Sequence, residues 1–244
     1  YDGQSYLAQR VPVSVVPSAS LLATLHRRAN RRRAGLGDGP IRRGASLVVG
    51  TTLRGTLPHI APELAAIAAH LRGRVLLDEQ ATRAAVLAQA SQATVLHLAT
   101  HGWLHPTDAL FSYLQMSDAR LSTADVMDLD LSCALVTLSA CETGRGHLGG
   151  GDDLVGFSRA FLQAGADALI LSLWQVEDRS TACLMDVLYA SLAAGQAKDE
   201  ALRVAQLALL TGATEPMALP TTHPYFWAPF VLVGDHRPLT IGER

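Results

Sequence analysis

Four stretches of this chain are apolar almost without interruption: residues 46–51 (SLVVGT), 93–100 (ATVLHLAT), 133–140 (CALVTLSA) and 166–176 (ADALILSLWQV). A strand with one wet face alternates apolar and polar residues, whereas a strand buried on both faces does not. Such strands need covering on each side, and the segments between them read as the covers. Residues 61–71 (APELAAIAAHL), 82–90 (TRAAVLAQA), 154–165 (LVGFSRAFLQAG) and 180–195 (STACLMDVLYASLAAG) carry helical patterns, the third stopped by Gly165. A short strand RVLL at 74–77, a helix at 199–210 and a last strand PFVLVG at 229–234 complete the series. Strand and helix in alternation require parallel strands with helices on both faces, so the fold class is α/β.

One domain is expected. Its main body runs over residues 46–244, and residues 1–45 belong to it as an entry strand at 11–16, a helix through Leu25 and an arginine-rich loop. Ser18 or Ser20 is placed to cap that helix. The stretch HRRANRRRAGLGDGPIRRG, residues 26–44, has no apolar period and reads as a solvated loop. No aromatics interleave with its arginines, so it lacks the stacking surface of a nucleic-acid site. With 20 Lys+Arg against 22 Asp+Glu, the net charge of −2 gives no general attraction to nucleic acid or to a membrane surface. No apolar run reaches the length of a membrane span. Three cysteines without CxxC spacing make neither a disulfide framework nor a structural zinc site, and they suit a reducing, cytoplasmic setting. An Ala-, Leu- and Arg-rich composition points to a bacterial source.

In open α/β sheets, ligands bind beyond the carboxyl ends of the strands. Two buried strands end there on reactive residues: VLHLATHG runs into His101 and LVTLSAC into Cys141. Cys141 admits two readings, a small buried hydrophobe or a nucleophile. The coincidence of both residues at strand ends, each beside glycine, favours chemistry. A histidine next to a cysteine takes its proton to make the thiolate and returns it to the leaving amine. Gly102 lets backbone approach a substrate closely, and the N–H groups of Gly102 and Cys141 are the natural pair to meet a developing oxyanion. His97, inside its strand, reads as a hydrogen-bonded core residue, and Cys133 and Cys183 read as core too. His105 and His147 lack the spacing of metal ligands, so no metal is expected. The glycines of GRGHLGGGDD match neither a phosphate-binding loop nor a dinucleotide fingerprint, so no cofactor is expected. Asp153 is placed to cap the following helix.

HLATHG, LSACETG, GDDLVGFSRAFLQAGADALILSLWQVED and HPYFWAPFVLVGD together closely resemble the CHAT domains, and the resemblance extends over nearly the whole chain. It implies a caspase-like three-layer α/β/α sandwich with a mostly parallel central sheet. It implies a cysteine endopeptidase of the caspase–gingipain clan, with His101 and Cys141 as the dyad and Gly102 in the oxyanion hole. A protein or peptide substrate would be selected beside the strand after the nucleophile loop, where Trp174, Glu177 and Asp178 stand. Asp178 reads equally as the N-cap of the next helix. The family is often appended to tetratricopeptide repeats, which implies control by a fused repeat or a partner protein, in bacterial defence or cell death. The alternative is a silent binding or scaffold module, since a fold alone does not prove turnover. One departure is visible: after LVVG the family carries a proline-rich loop with an acidic residue, and here only Leu57, Pro58 and Glu63 represent it.

Overall fold

The computed structural model describes residues 1–33, 45–53, 55–103, 105, 108–139, 152–213 and 220–239. In chain order its elements are α1 (Leu7–Arg10), β1 (Ser14–Val15), α2 (Ala19–Arg33), β2 (Ala45–Gly50), α3 (Ile60–Leu71), β3 (Arg74–Leu77) and α4 (Arg83–Gln89). There follow β4 (Ala93–Ala99), β5 (Gly102–Trp103), β6 (Tyr113–Gln115), β7 (Arg120–Ser122), α5 (Thr123–Met127) and β8 (Leu135–Leu138). The last third holds α6 (Asp152–Ala164), β9 (Ala168–Ser172), α7 (Asp178–Ala193), α8 (Lys198–Leu210), α9 (Pro224–Trp227) and β10 (Phe230–Gly234).

Seven strands form one sheet in the order β1-β10-β9-β8-β4-β2-β3. β3, β2, β4, β8 and β9 run parallel, as the apolar runs and intervening helices require. β10 opposes β9, and β1 runs alongside β10. A single helix returns the chain to the start of a parallel strand. Between β9 and β10 there are two long packed helices, α7 and α8, turned at Gly195 with φ +86°, and the short α9, so the chain comes back from the other end.

The sheet separates two apolar layers. One side packs Leu47, Val49, Leu96, Leu98, Val136 and Leu138 against α2, α4, α5 and α6. The other packs Val48, Val95, Leu135 and Ile170 against α3, α7 and α8. Side-chain alternation along each strand sends neighbouring residues to opposite layers, so both faces stay dry. The architecture is a three-layer α/β/α sandwich. At Gly50, an added Cβ would lie 2.7 Å from Ile60 and 3.0 Å from Leu64, so the missing side chain lets α3 close onto the sheet.

The amino-terminal reading needs correction. α2 continues through residues 26–33 instead of ending near Leu25, so half of the expected arginine-rich loop is helix. Arginine is a good helix former, and Arg28 anchors the extension by donating to the carbonyls of Leu162 and Ala166 at 3.4 and 3.3 Å. Ser18, of the two serines, caps it, its Oγ accepting from Leu21 N–H at 3.1 Å. Residues 34–44 lie outside the described residues. Among the described residues no helix is long and apolar enough to cross a membrane.

Candidate active site

The carboxyl ends of β2, β4 and β9 open at one edge of the sheet, and the loops that follow them build the candidate site. β4 and β8 are direct parallel neighbours, with Val95, Leu96, His97 and Leu98 opposite Leu135, Val136, Thr137 and Leu138. The pairing runs on one step further, where Ser139 N–H donates to Leu98 O at 3.1 Å. His101 leaves the end of β4 half-buried. Cys141, Arg145 and His147 lie outside the described residues.

A chain of hydroxyls fixes the turn that carries His101. Thr51 Oγ1 lies 3.0 Å from Thr100 Oγ1 in a buried contact, and Thr100 Oγ1 donates to the carbonyl of Gln115. Gln115 N–H in turn donates to His101 O at 2.8 Å. The loop after β2 is held similarly, with Asp78 Oδ1 accepting from Thr52 N–H at 2.7 Å and its hydroxyl at 2.9 Å.

Sequence reasoning assigned no elements just after His101, and a second sheet of three short antiparallel strands, β5-β6-β7, fills the gap. Gly102 faces Leu114 and Trp103 faces Tyr113. Because the step at His101 and Gln115 carries the interstrand bond, antiparallel alternation turns the Gly102 N–H away from β6. Among the described residues Gly102 thus sits on an edge strand, with its N–H on the side away from β6. Beyond it stands a cluster of tilted and edge-to-face rings: Trp103 lies 5.5 Å from Tyr113 and 5.1 Å from His105, which lies 5.5 Å from Phe111. Arg120 covers the Tyr113 ring at 4.2 Å.

The three residues expected to meet a substrate side chain cluster after β9, and each makes bonds of its own. Trp174 Nε1 donates to Tyr225 O at 3.1 Å. Glu177 is the N-cap of α7, its two oxygens accepting from Arg179 N–H at 3.1 Å and Ser180 N–H at 2.7 Å. The capping role read for Asp178 therefore belongs to its neighbour. Glu177 has the extended backbone a cap requires, and Asp178 is already the first helical residue. Asp178 Oδ2 instead accepts His59 N–H at 2.8 Å, tying α7 to the loop that leads into α3. Partial burial pushes its carboxyl above the ordinary range, and the His59 N–H pulls the other way.

Beneath the site lies a polar cluster that sequence reasoning met only as separate residues. His97 is fully buried, with Nδ1 3.1 Å from Tyr189 Oη and Nε2 3.0 Å from Glu63 Oε1. The Tyr189 hydroxyl donates to Thr137 Oγ1 at 2.8 Å, and burial pushes its pKa far above the usual phenol range. The available signal was a polar residue inside each apolar run, His97 in VLHLA and Thr137 in LVTLS, since buried polar groups take partners. Cys133 is buried, its thiol donating to Leu135 O at 2.9 Å and Thr94 O at 3.2 Å. Among the described residues no three His, Cys, Asp or Glu side chains gather as a metal site would require.

A mostly parallel seven-stranded sheet between two helical layers is the α/β/α architecture of the caspase-like class. The solved complex of Porphyromonas gingivalis RgpB pro- and mature domains shares this fold, at TM-score 0.55 and 14% identity over 81% of this chain and 48% of that one. The chain belongs to the CHAT domain family, whose model matches residues 1–235. Tetratricopeptide repeat protein 28 of Mus musculus is 27% identical over 232 residues, 78% of this chain and 9% of that protein. Its Homo sapiens counterpart is 26% identical over the same extent. The chain thus spans 9% of the length of these curated relatives.

Proposed function

We propose that the chain is a cysteine endopeptidase in which His101 activates Cys141 and Gly102 N–H, with that of Cys141, receives the oxyanion. One observation carries the reading. β4 and β8 pair in parallel with Leu98 opposite Leu138, and that offset equals the separation of His101 from Cys141 in sequence. Two strands in this register end level at the same sheet edge, three residues before His101 and three before Cys141, which supports assigning the two to one site. The thiol gives its proton to the imidazole, and the thiolate attacks the scissile carbonyl. Charge gathers on the carbonyl oxygen, and the proton passes from the imidazolium to the leaving amine. Water then attacks the acyl-enzyme with His101 as base. The Gly102 N–H, turned from β6, is free of the strand pair that would otherwise consume it.

The substrate is a protein segment whose side chain before the scissile bond meets the Trp174, Glu177 and Asp178 wall. Two neighbouring carboxylates make a basic side chain the preferred occupant. The reading of control by a fused repeat or partner protein is supported by the relatives, which are tetratricopeptide repeat proteins many times longer than this chain. Cytoplasmic action in a bacterial defence or death response is the setting this chemistry suits.

The test is labelling of Cys141 by a peptidyl acyloxymethyl ketone, with peptide turnover, for the chain alone and fused to repeats. Labelling abolished in Cys141→Ala and His101→Ala, and turnover lost equally in the double variant, is the expected result because the pair acts as a unit. A folded protein whose Cys141 resists the reagent in every setting is a binding module instead.

A further inference from the structure

We infer that the buried cluster Glu63–His97–Tyr189–Thr137 is a register lock that holds β4 against β8 with Leu98 opposite Leu138, the alignment that levels the two strand ends leading to His101 and to Cys141. The inference rests on the peptidase reading for its purpose and on the described contacts for its mechanism.

Register in a sheet is set by the pattern of apolar and polar side chains. That pattern is strong where one face is wet. β4 and β8 are buried on both faces, and a slip of two residues would leave each of their apolar side chains on the face it now occupies. Apolar packing alone therefore specifies the alignment weakly. His97 and Thr137 remove the ambiguity. They are register partners on adjacent strands, and the Tyr189 hydroxyl from α7 bridges the pair, 3.1 Å from His97 Nδ1 and 2.8 Å from Thr137 Oγ1. With its own proton given to Thr137, the tyrosine oxygen accepts from His97, so Nδ1 carries a proton. Nε2 then faces Glu63 Oε1 of α3 at 3.0 Å, off the line of a hydrogen bond.

A slip of either strand would separate His97 from Thr137 and strand buried donors and acceptors without partners, where an apolar residue would suffer nothing. Buried polar groups used this way fix alignment rather than add stability, as a single buried Asn does in a coiled coil. His97 precedes His101 by the same four residues by which Thr137 precedes Cys141. The alignment that the tyrosine reads is thus the one that levels the strand ends leading to the proposed dyad. These four side chains are positioning residues; none reaches the reacting atoms.

The test uses Tyr189→Phe and Thr137→Val, which remove one hydroxyl each with little change of shape, and Thr137→Ser, which restores it. Two readouts are followed in the full chain: amide exchange over residues 136–139, and the pH dependence of Cys141 alkylation by iodoacetamide, mapped by peptide mass. A thiol paired with histidine reacts with an apparent pKa well below the ~8.5 of free cysteine. Tyr189→Phe and Thr137→Val are expected to speed exchange in β8 and to slow alkylation about tenfold near pH ~6.5, the effect of a thiol pKa raised by roughly one unit. Thr137→Ser is expected to behave as the parent. Unchanged alkylation in both variants, with only a lower melting temperature, overturns the lock. If the parent thiol itself reacts like free cysteine and His101→Ala changes nothing, the peptidase reading has failed. The lock then stands or falls on the exchange of residues 136–139 alone.

Discussion

Alanine at Gly165 would test how tightly the end of α6 is built against the segment that leads into β8. Gly165 has φ +118°, a backbone region that L side chains rarely enter, and an added Cβ would stand 2.0 Å from Leu131 O. That oxygen belongs to backbone held in place, since Leu131 N–H donates to Ala164 O at 2.6 Å. Gly195 supplies the internal control: its φ is +86°, and nothing lies within 4 Å of its missing Cβ. Gly195→Ala therefore carries conformational strain alone, about 1 kcal/mol. Gly165→Ala carries similar strain plus the displacement of packed backbone, together about 3–4 kcal/mol. For a domain of this size the control should melt roughly 2–4 °C below the parent and Gly165→Ala about 6–16 °C below it. Thermal unfolding followed by circular dichroism gives both values in one series. Equal losses at the two positions would refute the steric part of the reasoning.

The Arg83–Asp125 pair should leave a signature in acid. The Arg83 hydrogen bond holds the Asp125 carboxyl at about 2, against ~3.9 in an unfolded chain. A lowered pKa stabilises the fold above the unfolded value and loses that contribution as pH falls through the folded one. With the arginine partly exposed, Asp125→Asn should cost about 1 kcal/mol at neutral pH and nothing near pH ~2, read from urea midpoints. A loss that persists undiminished in acid would contradict this. A positional peptide library should show a basic residue favoured before the scissile bond, and Asp178→Ala should weaken that preference several-fold. An apolar preference indifferent to Asp178→Ala would confine that carboxylate to its bond with His59.

The interior strands were legible because their near-unbroken apolar runs have no other stable home than a doubly covered sheet. Gly165 was legible as a helix stop for the same local reason that makes it costly to replace. β5, β6 and β7 were not, since strands of two or three residues are too short to show a period and are stabilised by pairing. The continuation of α2 escaped notice because arginine marks solvent, not backbone state, and its anchor lies on α6, distant in sequence. At the candidate site, His101 and Gly102 stood out as the end of a buried run, and pairing partners could not be read before the strand order was known. Whether Glu177 or Asp178 caps α7 turned on one residue of backbone conformation, which composition does not record. The lock was hidden for a related reason: Glu63, His97, Thr137 and Tyr189 come from four elements and become neighbours only in three dimensions.

The strand order also sets a schedule for a chain made from its amino end. β2, β3 and β4 lie together at one side of the sheet, and β8, β9 and β10 are added outward in the order in which they are synthesised. β1 alone breaks the sequence, because its partner is β10, the last strand to emerge. The opening segment must therefore wait unpaired on the ribosome while nearly the whole domain is translated. β4 and β8 can pair well before that final strand closes the far edge, so the middle of the sheet can form while β1 has yet to dock.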